Sequence, residues 1–402
     1  MRRVRCFGAC LDDNERKALY DVADREWYTA GKYAAQFERE FAEYLGVRQA
    51  FLCNSGSSAN LLALKALMSR KLGSDALIPG DEVITTACAF PTTVAPIVQC
   101  GLVPVFVDVE IGTYIINALQ SWEAVDNDKT KAVMFANTCG VPVNSFALPE
   151  LTLVEDNCDA LGSRIGDHPT GYYSDLATHS FFAAHHITMG EGGCVATSDP
   201  RLAAIVRSLR DWGRDCHCLP GENDKCGKRF SQQHGTLPLG YDHKYVIGEL
   251  GYNLKVTEMQ AAIGCAQLAK LDGFITARKR NHAFLLAALR KYEDRFILPY
   301  APLDTDPSWF CFVLTLRDGC GFTRGELTGY LESQGIETRP LFAGNILRHP
   351  AFNGVRCRVV GDLHNTEKVL RDTFFIGVWP GLDESDLAYV VEHFDAFMGG
   401  AR

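Results

Sequence analysis

The 402-residue chain is longer than one hydrophobic core usually organises, so two domains of unequal size are expected. Its 49 acidic against 40 basic residues leave a formal net charge of −9, which excludes a general nucleic-acid or anionic-membrane surface, because such binders carry a basic field. An apolar fraction of 47% without a run of about 18 apolar residues describes a water-soluble globular chain, expected in the cytosol.

Residues 13–45 carry a helical pattern with Ala18, Val22, Trp27, Phe37, Phe41 and Leu45 predicted to face inward. Apolar strands follow at 49–53, 82–86, 103–109, 132–136, 151–155, 177–182 and 194–197, with helical stretches at 58–72, 92–99 and 200–210 between them. Continuous rather than alternating apolar strands predict an α/β fold: a mostly parallel seven-stranded sheet sandwiched by helices. Ligands of such sheets bind beyond the carboxyl ends of the strands. A long helical pattern over 257–292, broken near Asp272-Gly273, leads into a smaller C-terminal α+β domain. That domain has a strand at 309–316, a helix opened by the capping box Thr323-Arg324-Gly325-Glu326, and a last helix at 384–398. The large domain is placed at 1–256 and the linking helix with the small domain at 257–402. The loop 215–241 is long, polar and aperiodic, a kind of loop that in compact domains usually carries function.

Four segments carry candidate chemistry. Asn54-Ser55-Gly56-Ser57-Ser58 joins a strand to a helix and offers N–H and hydroxyl donors to a phosphate, with Gly56 permitting close backbone approach. Phe90 follows a strand end and can stack on a planar ring. Asp156 ends another strand, where a carboxylate can keep a pyridinium nitrogen protonated. Ser180-Phe181-Phe182-Ala183-Ala184-His185-His186 runs into the glycine turn Gly190-Glu191-Gly192-Gly193. Singly, three of them admit a plainer reading: an N-cap turn, a core phenylalanine, two structural imidazoles. In this order they form a pyridoxal-phosphate constellation.

The chain resembles the DegT-type sugar aminotransferases of the type I aspartate-aminotransferase fold. The resemblance rests on Gly31, Phe37-Glu38, Asn54 to Asn60, Asp156, Ser180-Phe181-Phe182, Gly190 to Gly193, Gly251-Tyr252-Asn253-Leu254-Lys255 and Glu258-Met259-Gln260-Ala261-Ala262. Where aminotransferases of this family place the cofactor lysine, five residues after the strand serine, this chain has His185. The resemblance therefore implies pyridoxamine 5′-phosphate (PMP, the amine form of PLP) held without a covalent bond, with histidine as general base. The histidine segment is similar to the branch that performs 3-dehydration of nucleotide-linked 4-keto-6-deoxyhexoses. By position it implies Gly56, Ser57 and Ser180 at the phosphate, Phe90 over the ring, Asp156 at the ring nitrogen and Asp159 at its edge. Asn253 is implied to reach the phosphate of the neighbouring subunit of a homodimer, and Arg339 and Arg348 to meet a substrate diphosphate.

Most of the fifteen cysteines, among them Cys53, Cys88, Cys100, Cys139, Cys194, Cys265 and Cys311, sit among apolar neighbours and read as small core residues. Cys216, Cys218 and Cys226 stand in the polar loop, and with Cys158 they complete C-x57-C-x-C-x7-C. Four thiolates ligate either a [2Fe–2S] cluster or a tetrahedral zinc, which spacing does not separate. The full spacing, with Gly240-Tyr241-Asp242-His243-Lys244-Tyr245, resembles the iron–sulfur CDP-6-deoxyhexulose 3-dehydrases of 3,6-dideoxysugar biosynthesis. That resemblance implies a [2Fe–2S] cluster and an NAD(P)H-dependent flavin/iron–sulfur reductase as electron-donating partner. Residues 1–14 replace the longer extension usual in that branch, which leaves the nucleotide open, down to a glycoside without a diphosphate. Two other readings stand beside this one: a cluster-independent 3-dehydratase that finishes by deamination, and a non-catalytic sensor of redox state.

Overall fold

The computed structural model of the chain describes residues 2–218 and 221–400, so Leu219 and Pro220 of the polar loop lie outside the described residues. In chain order the first unit contains helices α1 (Asp13–Arg25) and α2 (Lys32–Leu45), strand β1 (Gln49–Cys53), helix α3 (Gly56–Leu67), strand β2 (Glu82–Thr86), helix α4 (Pro91–Gln99) and strands β3 (Val103–Val107), β4 (Thr130–Ala136), β5 (Thr152–Asp156), β6 (Leu176–Ser180) and β7 (Gly193–Thr197), closed by helix α5 (Pro200–Arg210). The strands lie in the order β1-β7-β6-β5-β4-β2-β3. Contacts from β6 to β3 are parallel, and β7 runs antiparallel to both its neighbours. The sheet has eight strands rather than the expected seven, because the two-residue strand Arg358–Val359 adds to the free edge of β3. Two residues leave no hydrophobic run to read, and it is backbone pairing that defines this strand.

Both faces of the sheet are buried, and β1 shows how. Phe51 and Cys53 point into the core beneath α3 and α5, whereas Ala50 and Leu52 point into the core beneath α2. A period of two with apolar residues on both sides gives the continuous run seen in the sequence. Beneath α2, Phe37, Phe41 and Phe181 are fully buried, with Phe181 edge-on to the other two at 5.2 and 5.4 Å. Each such ring contributes roughly 1.5–3 kcal/mol by burial. Trp27, expected inside, is 43% exposed, because α1 ends at Glu26 in the left-handed conformation (φ 54°) and the chain turns before α2 begins.

The N-terminus of α2 has no capping side chain of its own. The buried carboxylate of Glu258 accepts instead from the N–H groups of Gly31 (2.6 Å), Tyr33 (2.9 Å) and Ala34 (3.0 Å). Glu258 opens the linking helix Glu258–Leu268, which is followed by Leu271–Leu289. The break falls at Ala269-Lys270 and not at Gly273, which sits inside the second helix with open space around it.

A second, antiparallel sheet has the order Phe296–Ile297, Cys311–Leu316, Thr373–Gly377, Arg339–Pro340. It is packed by the helices Arg324–Ser333, which carries the predicted capping box, and Glu384–Gly400. The N-terminal segment docks on the small-sheet layer and on the linking helix: Val4 bridges to Ile336, and the Cys10 carbonyl accepts from Gln267 at 2.9 Å. Among the described residues no helix is long and apolar enough to cross a membrane.

Candidate active site

The carboxyl ends of β1, β2, β4, β5 and β6 open into one cavity of about 630 Å³. Nine of the predicted residues line it: Gly56, Ser57, Phe90, Asp156, Cys158, Asp159, Ser180, His185 and Arg339. Asn253, Arg348 and the loop cysteines stand elsewhere.

Gly56 and Ser57 form the first turn of α3, whose N–H groups have no partners within the helix. Ser55 caps the helix by accepting from the Ser58 N–H at 3.1 Å, and the Ser58 hydroxyl donates to Asn54 at 2.6 Å. Ser58 is therefore engaged locally, leaving the turn itself and Ser57 to face the cavity. A Cβ on Gly56 would lie 2.6 Å from Ser180 Cβ and 3.0 Å from Cys158 Sγ, so only glycine lets the helix start this close to β6. The result is a cradle for an anion at a helix N-terminus.

Asp156 is buried at the end of β5 and held by three donors. Its Oδ2 accepts from Asn60 Nδ2 (2.8 Å) and Thr93 Oγ1 (2.7 Å), and its Oδ1 accepts from the Cys158 N–H (3.1 Å). Asn60 is itself fixed, donating to the Thr92 carbonyl at 3.0 Å and accepting from Thr178 Oγ1 at 2.5 Å. Asn60, Thr93 and Thr178 had no role assigned from sequence. Asn60 lies inside a segment singled out there and Thr93 in the predicted helix 92–99, but nothing local shows that they converge on Asp156.

His185 follows β6 in a turn that Arg278 braces from the helix Leu271–Leu289. Arg278 is buried, pairs with no carboxylate among the described residues, and donates to the carbonyls of His185 (3.1 Å) and Phe310 (2.9 Å). One arginine in a long helix carries no sequence signal for this role. Burial, with the Arg278 charge adding to it, lowers the His185 imidazole to about 3. Burial, with Asp156 nearby, raises the Asp159 carboxyl to about 7, against the Cys139 N–H and Arg278. The 3.6 Å contact between His185 Nδ1 and Asp159 Oδ1 therefore joins a neutral imidazole to a carboxyl, not two charges; it is too long for a hydrogen bond, and among the described residues the buried Nδ1 has no hydrogen-bond partner. His186 faces away, with Nε2 2.9 Å from Ser308 Oγ, in the structural role left to it.

Phe90 lines the mouth of the cavity 53% exposed, edge-on to Phe342 at 5.9 Å, so it is not a core residue. Arg339 borders the cavity near Glu332 (3.7 Å) and Glu337 (3.5 Å). Arg348 is exposed and paired with Glu367 at 2.8 Å. Asn253 is exposed, bonded to Lys255 Nζ at 2.8 Å.

Cys158 faces the cavity, and burial beside Asp156 and Asp159 pushes its thiol far above the ordinary range. Cys216, Cys218 and Cys226 border a separate small pocket with His243 and Arg229. The Cys218 N–H meets Cys216 Sγ at 3.5 Å, and Cys226 Sγ lies 3.9 Å from His243 Nδ1. Among the described residues, the only potential metal-ligand group whose donor atoms all lie within 4.8 Å of one another is Asp215, His234 and His243. The four cysteines do not border one pocket: Cys158 lines the large cavity and the other three the small one. Of the predicted core cysteines, Cys265 is only partly buried and the others are buried.

The residues present fit PMP. A cradle without a Cβ, a buried carboxylate at a strand end, an aromatic ring at the mouth and an imidazole with a free nitrogen surround one cavity of ligand size. A dTDP-4-dehydro-2,6-dideoxy-D-glucose 3-dehydratase of Saccharopolyspora spinosa is 50% identical over 401 residues, 98% of this chain and 86% of that protein. The lipopolysaccharide biosynthesis protein RfbH of Salmonella typhimurium is 48% identical over 401 residues, 98% of this chain and 91% of its own. The solved structure of the E. coli GDP-4-keto-6-deoxy-D-mannose-3-dehydratase with bound hydrated PLP superposes with a TM-score of 0.87 at 29% identity, covering 98% of this chain and 99% of that one. With residues 9–395 matching the family model as well, the chain belongs to the DegT/DnrJ/EryC1/StrS aminotransferase family.

Proposed function

We propose that this chain is an enzyme of deoxysugar biosynthesis that removes the C3 hydroxyl of a nucleotide-linked 4-keto-6-deoxyhexose, using PMP and electrons from a reductase. The observation that carries the reading is the chemistry of the cavity wall. No lysine is among the described residues lining it, and His185 stands where the fold's cofactor lysine is expected. An imidazole does not form the covalent link that a lysine amine forms, but as a neutral base it accepts a proton.

When bound, PMP supplies an amine that condenses with a ketone and a ring that accepts electrons. The first turn of α3 with Ser57 and Ser180 holds its phosphate, and Asp156 keeps its ring nitrogen protonated. Phe90 covers the ring and excludes water. His185 takes the proton from the C4′ carbon of the cofactor, positioned by Asp159 on one side and by Arg278 through its backbone. Arg339, with Arg348 farther out, is assigned to the substrate diphosphate, and Asn253 to the phosphate site of the second subunit of a homodimer. The net change is replacement of the C3 hydroxyl by hydrogen, consuming two electrons and two protons and releasing water. Those electrons come from outside the chain, which is why we include an NAD(P)H-dependent flavin/iron–sulfur reductase partner. Cys158, Cys216, Cys218 and Cys226 carry the [2Fe–2S] part of the reading by residue type and spacing, not by convergence within one chain.

The test is anaerobic incubation of the PMP-loaded protein with a 4-keto-6-deoxyhexose nucleotide and a chemical reductant. Iron and sulfide analysis is made in parallel. A 3-deoxy-4-keto product from an iron-containing protein is expected. Absence of C3 deoxygenation in a cofactor-loaded, iron-loaded protein would overturn the proposal. The open thiol set favours one second reading, the cluster-independent dehydratase; it predicts 3-deoxygenation with loss of the amino group by a protein without iron.

A further inference from the structure

We infer that the four-cysteine set closes between two copies of this chain, Cys158 of one protomer facing Cys216, Cys218 and Cys226 of the other. The inference rests on the iron–sulfur part of the proposed function and adds where the ligands come from.

Three observations carry it. First, the thiols occupy two different places. Cys158 lies at the carboxyl end of β5, against the first turn of α3 and Ser180, and opens into the large cavity. The other three share a pocket with His243 and Arg229, and Cys216 and Cys218 also border Gly31, Glu38, Arg210 and Lys255. Neither pocket has a cysteine in common with the cavity.

Second, the loop is tied down where it stands. The Asp215 N–H donates to the Val246 carbonyl at 2.9 Å, and Lys71 pairs with Asp215 at 3.2 Å. Arg229 makes two bonds to Asp242, at 2.8 and 2.6 Å, and Lys244 donates to the Glu222 carbonyl at 3.0 Å and to Asn223 at 2.9 Å. At its root Gly213 packs so closely that a Cβ there would sit 1.9 Å from the Glu249 carbonyl oxygen. Swinging the loop thiols to Cys158 within one chain breaks this set of bonds. Supplying them from a second copy requires no such swing within the chain.

Third, the root of the same loop presents apolar side chains to solvent: Tyr245 is 60% exposed, Ile247 56% and Leu250 88%. They belong to one local structure, since Ile247 bridges to Arg214 and Arg214 lies over the rings of Trp212 and Tyr245 at 4.5 and 6.0 Å. The rim of the cavity exposes Phe90 and Phe182. A two-fold contact that lays each loop on the other copy's rim covers both patches at once, since in such a contact each surface meets its counterpart twice. The occupant of this surface is thus a second copy of the chain.

The experiment is a count of clusters in mixed dimers. Cys158→Ser and Cys216→Ser chains carrying different affinity tags are co-expressed, and the mixed dimer is isolated anaerobically through both tags. If the ligands come from different protomers, one site of the mixed dimer carries both lesions and the other is intact, so iron and sulfide are half the wild-type content. If each chain supplies its own four ligands, both sites are broken and the mixed dimer holds none, which overturns the inference, provided its far-UV circular dichroism matches the wild type. A Cys158→Ser homodimer with full iron, or a wild-type monomer with full iron, overturns it equally. A wild-type protein without iron counts against the iron–sulfur reading instead. The arrangement is then read with Cd2+, a thiolate-seeking ion, by the same count: half of the wild-type thiol-bound cadmium supports it and none overturns it.

Discussion

His185 Nδ1 stands 3.6 Å from Asp159 Oδ1, and the imidazole of this pair is uncharged at neutral pH. Burial keeps it neutral, so the nitrogen that has to accept a proton is already free of one. His185→Asn keeps the ring's approximate shape and removes the base. Solvent hydrogen exchange at the cofactor's C4′ should fall by roughly 10²- to 10⁴-fold, while PMP affinity by equilibrium dialysis changes only a few-fold. Exchange at the wild-type rate would remove His185 from the role of base.

The same pair sets opposing pH dependences on the stability of the cofactor-free protein. Asp159 is raised from 3.8 to about 7, so its contribution is fully present below pH 3.8 and is lost as pH rises toward 7, where the buried carboxyl is forced to ionise. His185 is lowered from 6.5 to about 3, so its contribution is fully present above pH 6.5 and is lost as pH falls toward 3. Asp159→Asn removes the first dependence alone. Urea midpoints at pH 5 and pH 8 should show the wild type losing stability across that interval relative to the variant, by roughly 2–4 kcal/mol at full expression of the shift. Parallel curves for the two proteins would contradict the assignment.

Gly56→Ala tests the cradle. The added methyl meets Ser180 Cβ at 2.6 Å, so the start of α3 or the end of β6 has to shift. Overpacking of this kind costs about 1–3 kcal/mol, and the N–H groups of the turn move with it. Loss of PMP affinity larger than the loss of thermal stability is expected, measured by cofactor titration and calorimetry. Unchanged affinity would place the phosphate elsewhere.

Asn60→Ala leaves the Asp156 carboxylate with one side-chain donor, Thr93, and leaves Thr178 only its long 3.5 Å bond to the Glu155 carbonyl. An unsatisfied buried partner costs about 1–3 kcal/mol. A lowered melting temperature together with weaker PMP binding is the expected result, and Asn60→Asp should not restore binding because it sets a second carboxylate against Asp156.

Much of the scaffold was readable because burial on both faces writes an unbroken apolar run into strands such as β1 and β3. The gathering of Gly56, Asp156, Ser180 and His185 at one cavity was readable for a related reason: each lies at or just past the carboxyl end of a strand or at the helix start that follows. What escaped depends on tertiary partners. Trp27 fits a helical period, yet the left-handed turn at Glu26 takes it out of that period. Gly273 looks like a break but lies on an exposed turn of helix, where its missing side chain disturbs no packing. Arg278 and Asn60 gain their positions from carbonyls, a carboxylate and a hydroxyl far away in sequence. Arg348, expected at a substrate diphosphate, is paired with Glu367, a partner that a list of basic residues cannot reveal.

The carboxylate of Glu258 that closes the open start of α2 belongs to a residue 227 positions beyond Gly31. During synthesis α2 therefore emerges with bare N–H groups and keeps them until the linking helix has followed it out of the ribosome. The strands β1 to β7 are complete well before that moment. Contacts of such long range are formed late and slowly. The first unit is sealed by the segment that leaves it, so a chain truncated ahead of Glu258 retains every strand of β1 to β7 but lacks the clasp that fixes one of its earliest helices.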